Sequence, residues 1–543
     1  MLRRSACLPL ALGVVVAGLS CRSTGEHRAD ADREVYEILV QRRAALGAGD
    51  PFTIDPPERS LRQRILAGEL AADGLPPLDL ADCLEIAAEN SREYQDRRET
   101  LYLAALDLTL ERWDFSVQKS GSFGAFLSGD GNEARDTGVL STLGISKLLG
   151  TGARILGDAS IDLARDVSRG DGWEAVSNLS LSITQPLLRG FGERIVREPL
   201  TQSERDVVYA ARAYERFRRT FTYDVASRYY RLRESYNRLD NERANNERTV
   251  VLRRRNEEFA RAGRISDIEV DQARQNELSA QTRVVEAERS LEADLDDFKF
   301  FLGLPIEIPL RLDLADTTPL LAEEVLELEI AEDEAVAVAL AGRLDHLTVL
   351  DRVADAERRL AIAADGLRAG LGLSLSAGAA SDANDLGTYR RSNMDWQVGL
   401  DLDLPWNQLP ERNAYRSALI TLDATRRAAD ESGDGIRQNL RDARRTIEAA
   451  RTSLEIETGA VALAERRVES AQLNLEAGRA NTRDVTDAHE DLVQAENQLI
   501  RARTDYTLAG LALFRDMELI RVEGGGIEVD LEPLQRVRNG ERP

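Results

Sequence analysis

Apolar residues recur at alternating intervals of three and four through two long stretches of this 543-residue chain. The later series starts at Val485 and continues through Ala488, Leu492, Ala495, Leu499, Ala502, Tyr506, Ala509 and Leu513, so that large and alanine side chains share one helical seam. Such a seam predicts a coiled-coil face with close backbone approach. The earlier series, Val270, Ala273, Ala280, Val284, Ala287, Leu291 and Phe298, keeps the same register, interrupted by Glu277 and Asp294. Each follows an Ala-Gly-Arg triplet, at 262–264 and 477–479, and the triplets stand 215 residues apart. A second matching pair, Asp82 to Ala87 and Glu334 to Ala339, is offset by 252 residues. The chain is thus written twice, and the 37-residue difference between the offsets places the first half's extra length between Ala87 and Ala262.

Within that extra length, and at the equivalent place in the second half, the period falls to two. Val398, Leu400, Leu402 and Leu404 alternate with Gly399, Asp401 and Asp403, giving one apolar and one acidic face. Leu371, Leu373, Leu375 and Ala377 alternate likewise, as do Leu179, Leu181 and Ile183, and the run Ile155, Gly157, Ala159, Ile161, Leu163. Phe123, Ala125 and Leu127 form a weaker run, and Leu143 with Ile145 another. In a soluble sheet the apolar face meets a core; in a membrane barrel it meets lipid. Pro186 and Pro405 close a strand in each half, where a missing N–H costs least, and mark the strand-to-helix turns. Helices of about 67 residues follow, near 193–260 and 411–477, each extending roughly 100 Å and needing partners along its whole length. The predicted organisation is a signal segment at 1–20, an extended arm at 21–77, a first repeat at 78–304 with strands near 117–187 and a turn at 262–266, a linker at 305–332, a second repeat at 333–520 with strands near 371–404 and a turn at 477–481, and a tail at 521–543.

The first residues have a basic start, Arg3 and Arg4, and an apolar run from Ala6 to Leu19, the layout of a secretory signal peptide. The run ends at Ser20-Cys21, which resembles the lipobox of bacterial lipoproteins, although Gly18 stands where that motif usually has Leu. Cys21 is the expected lipidation site, with ordinary cleavage nearby as the alternative. With Cys7 removed and Cys21 acylated, Cys83 is left alone and no intramolecular disulfide is expected. No other stretch approaches about 18 uninterrupted apolar residues, so any further membrane crossing falls to strands. A net charge of -24 argues against nonspecific nucleic-acid binding through a basic surface. His27, His346 and His489 lie far apart, and no H-E-x-x-H helix, nucleophile elbow, Walker loop or metal-ligand spacing is present. Catalysis, a cofactor or a metal site is therefore not expected. Arg169-Gly170-Asp171 matches an adhesion tripeptide and is read as coincidence.

These features, with the run Ser182-Ile183-Thr184-Gln185-Pro186-Leu187-Leu188-Arg189-Gly190, resemble the TolC-like outer-membrane efflux protein family from about Leu78 to Met517. The resemblance implies a mostly α fold with a membrane β-barrel part and an internal two-fold repeat. Long coiled-coil helical hairpins then form a periplasmic tunnel, and a homotrimer contributes strands to one barrel shared in outer-membrane lipid. The family pattern is two strands per half, whereas the first half here offers four runs, an additional hairpin that either widens the barrel or forms an external plug. The implied function is that of a passive duct in a tripartite efflux system, joined through a periplasmic adaptor (membrane fusion) protein to an inner-membrane pump. The outlet of type I protein secretion systems shares this architecture. A soluble periplasmic coiled-coil scaffold is the alternative of another class, and it leaves the alternating strands and Gln185-Pro186 unaccounted for.

Locally, the glycine of each Ala-Gly-Arg triplet permits the positive φ of a helix C-cap. The resemblance implies more: adaptor-docking tips at Gly263, Arg264 and Val270 and at Gly478, Arg479 and Val485, and a periplasmic gate at Asp484 and Asp487, with Glu269 at the matching position after the first turn. Three chains would set the carboxylates of Asp484 and Asp487 around one axis as a cation-attracting ring, against the plainer reading of a solvated helix face. The family's closed-state link uses an aromatic before the second turn and an arginine after its glycine. Leu475 and Ala480 stand there in this chain, leaving Arg479 and Arg483 to substitute. Asp401 and Asp403 are expected to face the barrel lumen.

Overall fold

The computed structural model describes residues 22–45, 52–55, 59–69, 75–129, 134–166, 172–314, 329–523 and 526–541. The signal segment, Cys21 and Arg169-Gly170-Asp171 lie outside these residues. Two helices, α1 (Thr24–Ala44) and α2 (Leu61–Leu66), come first. The first repeat then runs α3 (Leu80–Asn90), α4 (Arg92–Asp114), β1 (Gln118–Gly129), β2 (Ala134–Leu148), β3 (Arg154–Asp166), β4 (Glu174–Pro186), α5 (Glu193–Val196), α6 (Glu198–Arg261) and α7 (Asp267–Phe301). The second runs α8 (Glu332–Gly342), α9 (Leu344–Gly366), β5 (Gly370–Asp382), β6 (Asp385–Asp403), α10 (Leu409–Glu476) and α11 (Thr482–Asp516), followed by β7 (Ile520–Glu523), β8 (Gly526–Val529) and α12 (Glu532–Arg538).

The two copies match element by element. α3 and α8 each have 11 residues, and a single extended residue, Ser91 or Arg343, separates each from a 23-residue partner, α4 or α9. The same positions are buried in both copies: Cys83, Ile86 and Ala87 answer to Ala335, Val338 and Ala339. α7 and α11 are both 35 residues long. By contact the chain divides into two compact units, one of Met1–Phe52, Thr100–Ala211 and Thr348–Ala429, the other of Thr53–Glu99, Arg212–Leu347 and Asp430–Pro543.

The first unit holds one antiparallel sheet in the order β1-β2-β3-β4-β5-β6, so all four runs of the first half are strands of the same sheet. The pairing keeps the period-two pattern in phase from strand to strand. One row reads Leu143, Ala159, Leu179, Ala379, Met394, and the next Ile145, Gly157, Leu181, Ala377, Trp396. On the opposite face a row reads Ser120, Gly144, Asp158, Ser180, Gly378, Asp395. Phe126 is an exception on that polar face, its ring lying over Gly138, where no Cβ competes for the space. The apolar face is open: Leu127 is 71% and Trp396 78% exposed. A contiguous exposed apolar band of this kind marks a surface made for lipid or a partner. Among the described residues no helix is long and apolar enough to cross a membrane.

Below its strands this unit is tied by a buried ionic network between α6 and α9. Asp355 accepts hydrogen bonds from Tyr209 Oη at 2.7 Å, Arg205 Nη1 at 2.9 Å and Arg358 Nη2 at 3.0 Å, while Arg358 Nε reaches Glu198 at 2.9 Å. Burial opposes the Asp355 charge, but hydrogen bonds from Tyr209 and Gln202 and the Arg358 cation hold its carboxyl below the ordinary range. Burial and the same contact push Tyr209 up to about 12.

In the second unit the α11 seam packs as its spacing predicts. Val485, Ala488, Leu492, Ala495, Ala502, Ala509 and Leu513 are buried, and Leu499 and Tyr506 half-buried. Ala464 and Val468 of α10 meet Ala488, Leu492 and Ala495. In the first copy, Ala273, Ala280, Ala287, Leu291 and Phe298 are buried, and both interruptions find partners. Glu277 pairs with Arg253, and Asp294 accepts from Ser235 Oγ at 2.6 Å.

Three segments fold more than their sequence suggests. The described part of the arm at 21–77 is not extended: α1 opens with a Ser23/Glu26 capping box and buries Val35, Ile38 and Leu39. Its prolines at 51, 56 and 57 all follow that helix, so they do not interrupt it. In the linker, Leu78 and Leu312 form a parallel bridge, with Leu78 N–H on Arg311 O and Asp313 N–H on Leu78 O, both at 2.9 Å. The tail is a hairpin and a helix, and Ile520 and Leu534 enter the core formed by Ala335, Val338, Leu511 and Phe514.

Candidate functional site: the hairpin tips

The Ala-Gly-Arg turns have nearly identical geometry. Gly263 takes φ +70° and Gly478 φ +69°. Arg264 N–H reaches back to Phe259 O at 2.9 Å, and Arg479 N–H to Asn474 O at 2.8 Å, the long closing bond of a Schellman cap. Only glycine adopts this conformation without steric cost. Nothing lies within 4 Å of where a Cβ would stand at either glycine, so both tips face open space. Arg264 and Arg479 are exposed, and Val270 is half-buried. Val485, also expected at the docking surface, is 2% exposed and holds its hairpin from inside. Two exposed apolar residues flank the turns instead: Ile268 at the start of α7 and Leu473 at the end of α10. Ile268 stands outside the Val270, Ala273 phase of its own helix, and that mismatch is the signal in the sequence that could have found it.

Two of the three expected gate carboxylates cap a helix start. Asp484 Oδ2 accepts the Asn481 backbone N–H at 3.0 Å while Asn481 Oδ1 accepts the Asp484 N–H at 3.0 Å, a complete capping box at the start of α11. Glu269 does the same for α7, taking the Ser266 N–H at 3.3 Å. The patterns Ser266-x-x-Glu269 and Asn481-x-x-Asp484 are legible as helix-start signals. Asp487 lies outside the cap, exposed, with Arg483 at 3.8 Å. The second arginine expected to substitute in the closed-state link thus has a carboxylate neighbour in its own helix. Buried just behind the tips, Asn256 Nδ2 donates to Thr482 Oγ1 at 2.9 Å, joining the first hairpin to the second. His489 sits two turns further along α11, where Gln472 Nε2 donates to its Nε2 at 3.1 Å and its Nδ1 is buried without a partner. Burial, with the Arg248 cation, lowers its pKa below the ordinary value.

In the other unit, the run from Gln185 to Gly190 connects the two halves of the sheet. Gln185 Oε1 accepts from Thr151 Oγ1 at 2.9 Å and its Nε2 donates to Thr151 O at 3.1 Å, which ties β4 to the β2–β3 turn. Past Pro186, which ends β4, Leu187 N–H bonds Leu371 O at 2.7 Å, Arg189 Nη2 meets Asp403 at 3.0 Å, and Gly190 N–H reaches Asp365 at 2.7 Å. Pro405 stands two residues beyond β6 and four before α10. Asp401 and Asp403 lie on the polar face of β6.

Residues 336–515 match the family described as outer membrane efflux protein. No curated protein matches the chain in sequence. Among solved structures it is similar to the outer membrane protein VceC from Vibrio cholerae, with 15% identity and a TM-score of 0.60 over 82% of this chain and 96% of that one. It is also similar to the CmeC outer membrane channel of Campylobacter jejuni (15%, 0.57, 85% and 88%) and to the open state of the MtrE outer membrane channel of Neisseria gonorrhoeae (14%, 0.57, 88% and 98%). At such identities the likeness is one of fold. The resemblance to TolC-like outer-membrane efflux proteins therefore holds in two ways: the second repeat carries the family's signature, and most of the chain has the fold of these channels. The family match over residues 336–515 and the fold together support an outer-membrane efflux channel.

Two outcomes follow from the tip geometry. Asp484→Ala removes half of a capping box and should weaken the first turn of α11 by about 1 kcal/mol, seen as roughly five-fold faster amide hydrogen exchange there. Asp487→Ala should leave that exchange unchanged; equal effects would refute the division of labour. For His489 the folded state resists protonation, so its contribution is complete above the ordinary pKa of about 6.5 and is lost as pH falls below it. The melting temperature should therefore drop between pH 7 and pH 5, and drop less in His489→Gln.

Proposed function

We propose that the chain is the outer-membrane duct subunit of a tripartite efflux system, working as a homotrimer with an acylated Cys21. The observation that carries this reading is the pairing of two features in one chain: a sheet with one continuous apolar face, and long helical hairpins that end in matched glycine caps. A sheet of that kind is stable in lipid only when its edges are closed, and one chain leaves two open. Exposed Ile456 and Leu463 along α10 support further packing against neighbouring copies. The tips present Gly263, Arg264, Val270 and Ile268 beside Gly478, Arg479 and Leu473 to a periplasmic adaptor, through which an inner-membrane pump supplies the energy. Asp487, with Asp484 beside it and Glu269 at the matching turn, lines the periplasmic entrance and draws cations toward it.

Detergent-purified mature protein in planar bilayers should give discrete, cation-preferring openings, with a trimer as its mass. A soluble particle that conducts nothing and needs no detergent would sink the duct. Asp484→Ala with Asp487→Ala should weaken the cation preference while trimers still assemble, and an unchanged preference would remove the gate assignment. Gly263→Val or Gly478→Val forces a β-branched residue to positive φ, so export should be lost with the barrel intact; wild-type export would count against adaptor docking at these tips.

A further inference from the structure

Among the described residues the sheet has two free edges, since β1 has only β2 beside it and β6 only β5. They are long, 12 residues in β1 and 19 in β6. Unpaired N–H and C=O groups over such a length cannot stand in hydrocarbon. The two-faced pattern reaches both edges, Phe126 standing as the apolar exception on the polar face of β1. Phe123, Ala125 and Leu127 of β1 share the apolar face with Trp396 and Val398 of β6, and Ser122 shares the polar face with Gln397. Phe123 and Leu127 are exposed, as are their counterparts in β6. A hairpin folded aside as a plug has no use for an apolar face continuous with that of β3. With six alternating strands per copy, β6 of one copy runs antiparallel to β1 of the next.

We infer that β1 of one copy pairs with β6 of the next, so that the β1–β2 hairpin is barrel wall and three copies close eighteen strands in place of the twelve of the family pattern. This rests on the trimeric duct proposed above. Diameter grows roughly linearly with strand number, so the barrel is about half again as wide as a twelve-stranded one, in the range where barrels hold an open aqueous channel. The lumen then carries the polar rows of Ser, Asp and Gln, and the barrel section admits solutes that a twelve-stranded barrel excludes.

Disulfide mapping separates the possibilities, because the bond forms only between Cβ atoms about 4 Å apart. Gln397→Cys is combined in the full chain with Ser120→Cys, Ser122→Cys or Gly124→Cys on β1, and in a parallel set with Asp158→Cys, Ser160→Cys or Asp162→Cys on β3. The sole described native cysteine, Cys83, is buried. Oxidised trimers should yield covalently linked dimers and trimers from the β1 set alone. Linking through β3 instead, or through neither set in trimers verified by native mass spectrometry, overturns the seam. Absence of trimers altogether overturns the duct reading itself. For variants that do not assemble, strands counted in the wild-type trimer by electron cryo-microscopy decide: eighteen upholds the inference and twelve ends it.

Discussion

A backbone amide without a partner in hydrocarbon costs several kilocalories per mole, and in the duct proposed above the strand half of this protein answers that cost. Within one copy the six strands satisfy each other along ladders of nine to thirteen paired positions. What remains is concentrated at two edges. The side chains obey the same economy: because a slip of one residue would turn leucines to the polar face and aspartates to the apolar one, the alternation specifies a register that keeps every strand in phase. The Gln185 to Gly190 segment holds that register across the join between halves, where no covalent hairpin does so. Its polar contacts to Thr151, Ala369, Leu371, Asp365 and Asp403 replace the missing turn.

The helical half answers a different constraint. A helix of 64 or 68 residues cannot bury a stripe by itself. Alanine at alternate seam positions of α7 and α11 lets the paired backbones come close, and the interruptions at Glu277 and Asp294 are tolerated because Arg253 and Ser235 meet them. At the tips the helices end in water, so their terminal amides and carbonyls are capped locally by Gly263, Gly478, Asn481, Asp484, Ser266 and Glu269. This gives Asp484 and Glu269 a structural duty that any role at a channel entrance has to share. Asp487, outside the cap, is free of that duty.

Much of this was legible beforehand for a simple reason: the periods of 2 and of 3 and 4 are local consequences of backbone geometry, and so is the positive φ demanded at an Ala-Gly-Arg turn. The misreadings have equally local causes. Prolines near residue 51 and beyond suggested an extended arm, yet Val35, Ile38 and Leu39 already carried the spacing of α1. The alternation of Ile520 with Val522 and of Ile527 with Val529 on either side of glycines spelled a hairpin where a tail was expected. Val485 was assigned outward by analogy although its own seam placed it inside.

The sequence by itself determined the double repeat, the strands and helices of each half and the two glycine turns, since each depends on residues close together along the chain. Only the tertiary structure decided that the additional hairpin joins the sheet in register, that Gln185 clamps Thr151, and that Asn256 bonds Thr482 across 226 residues. Those outcomes depend on which distant segments become neighbours. Hydrophobic periodicity says that a face must be covered, but the partner that covers it is chosen by packing and backbone pairing in three dimensions.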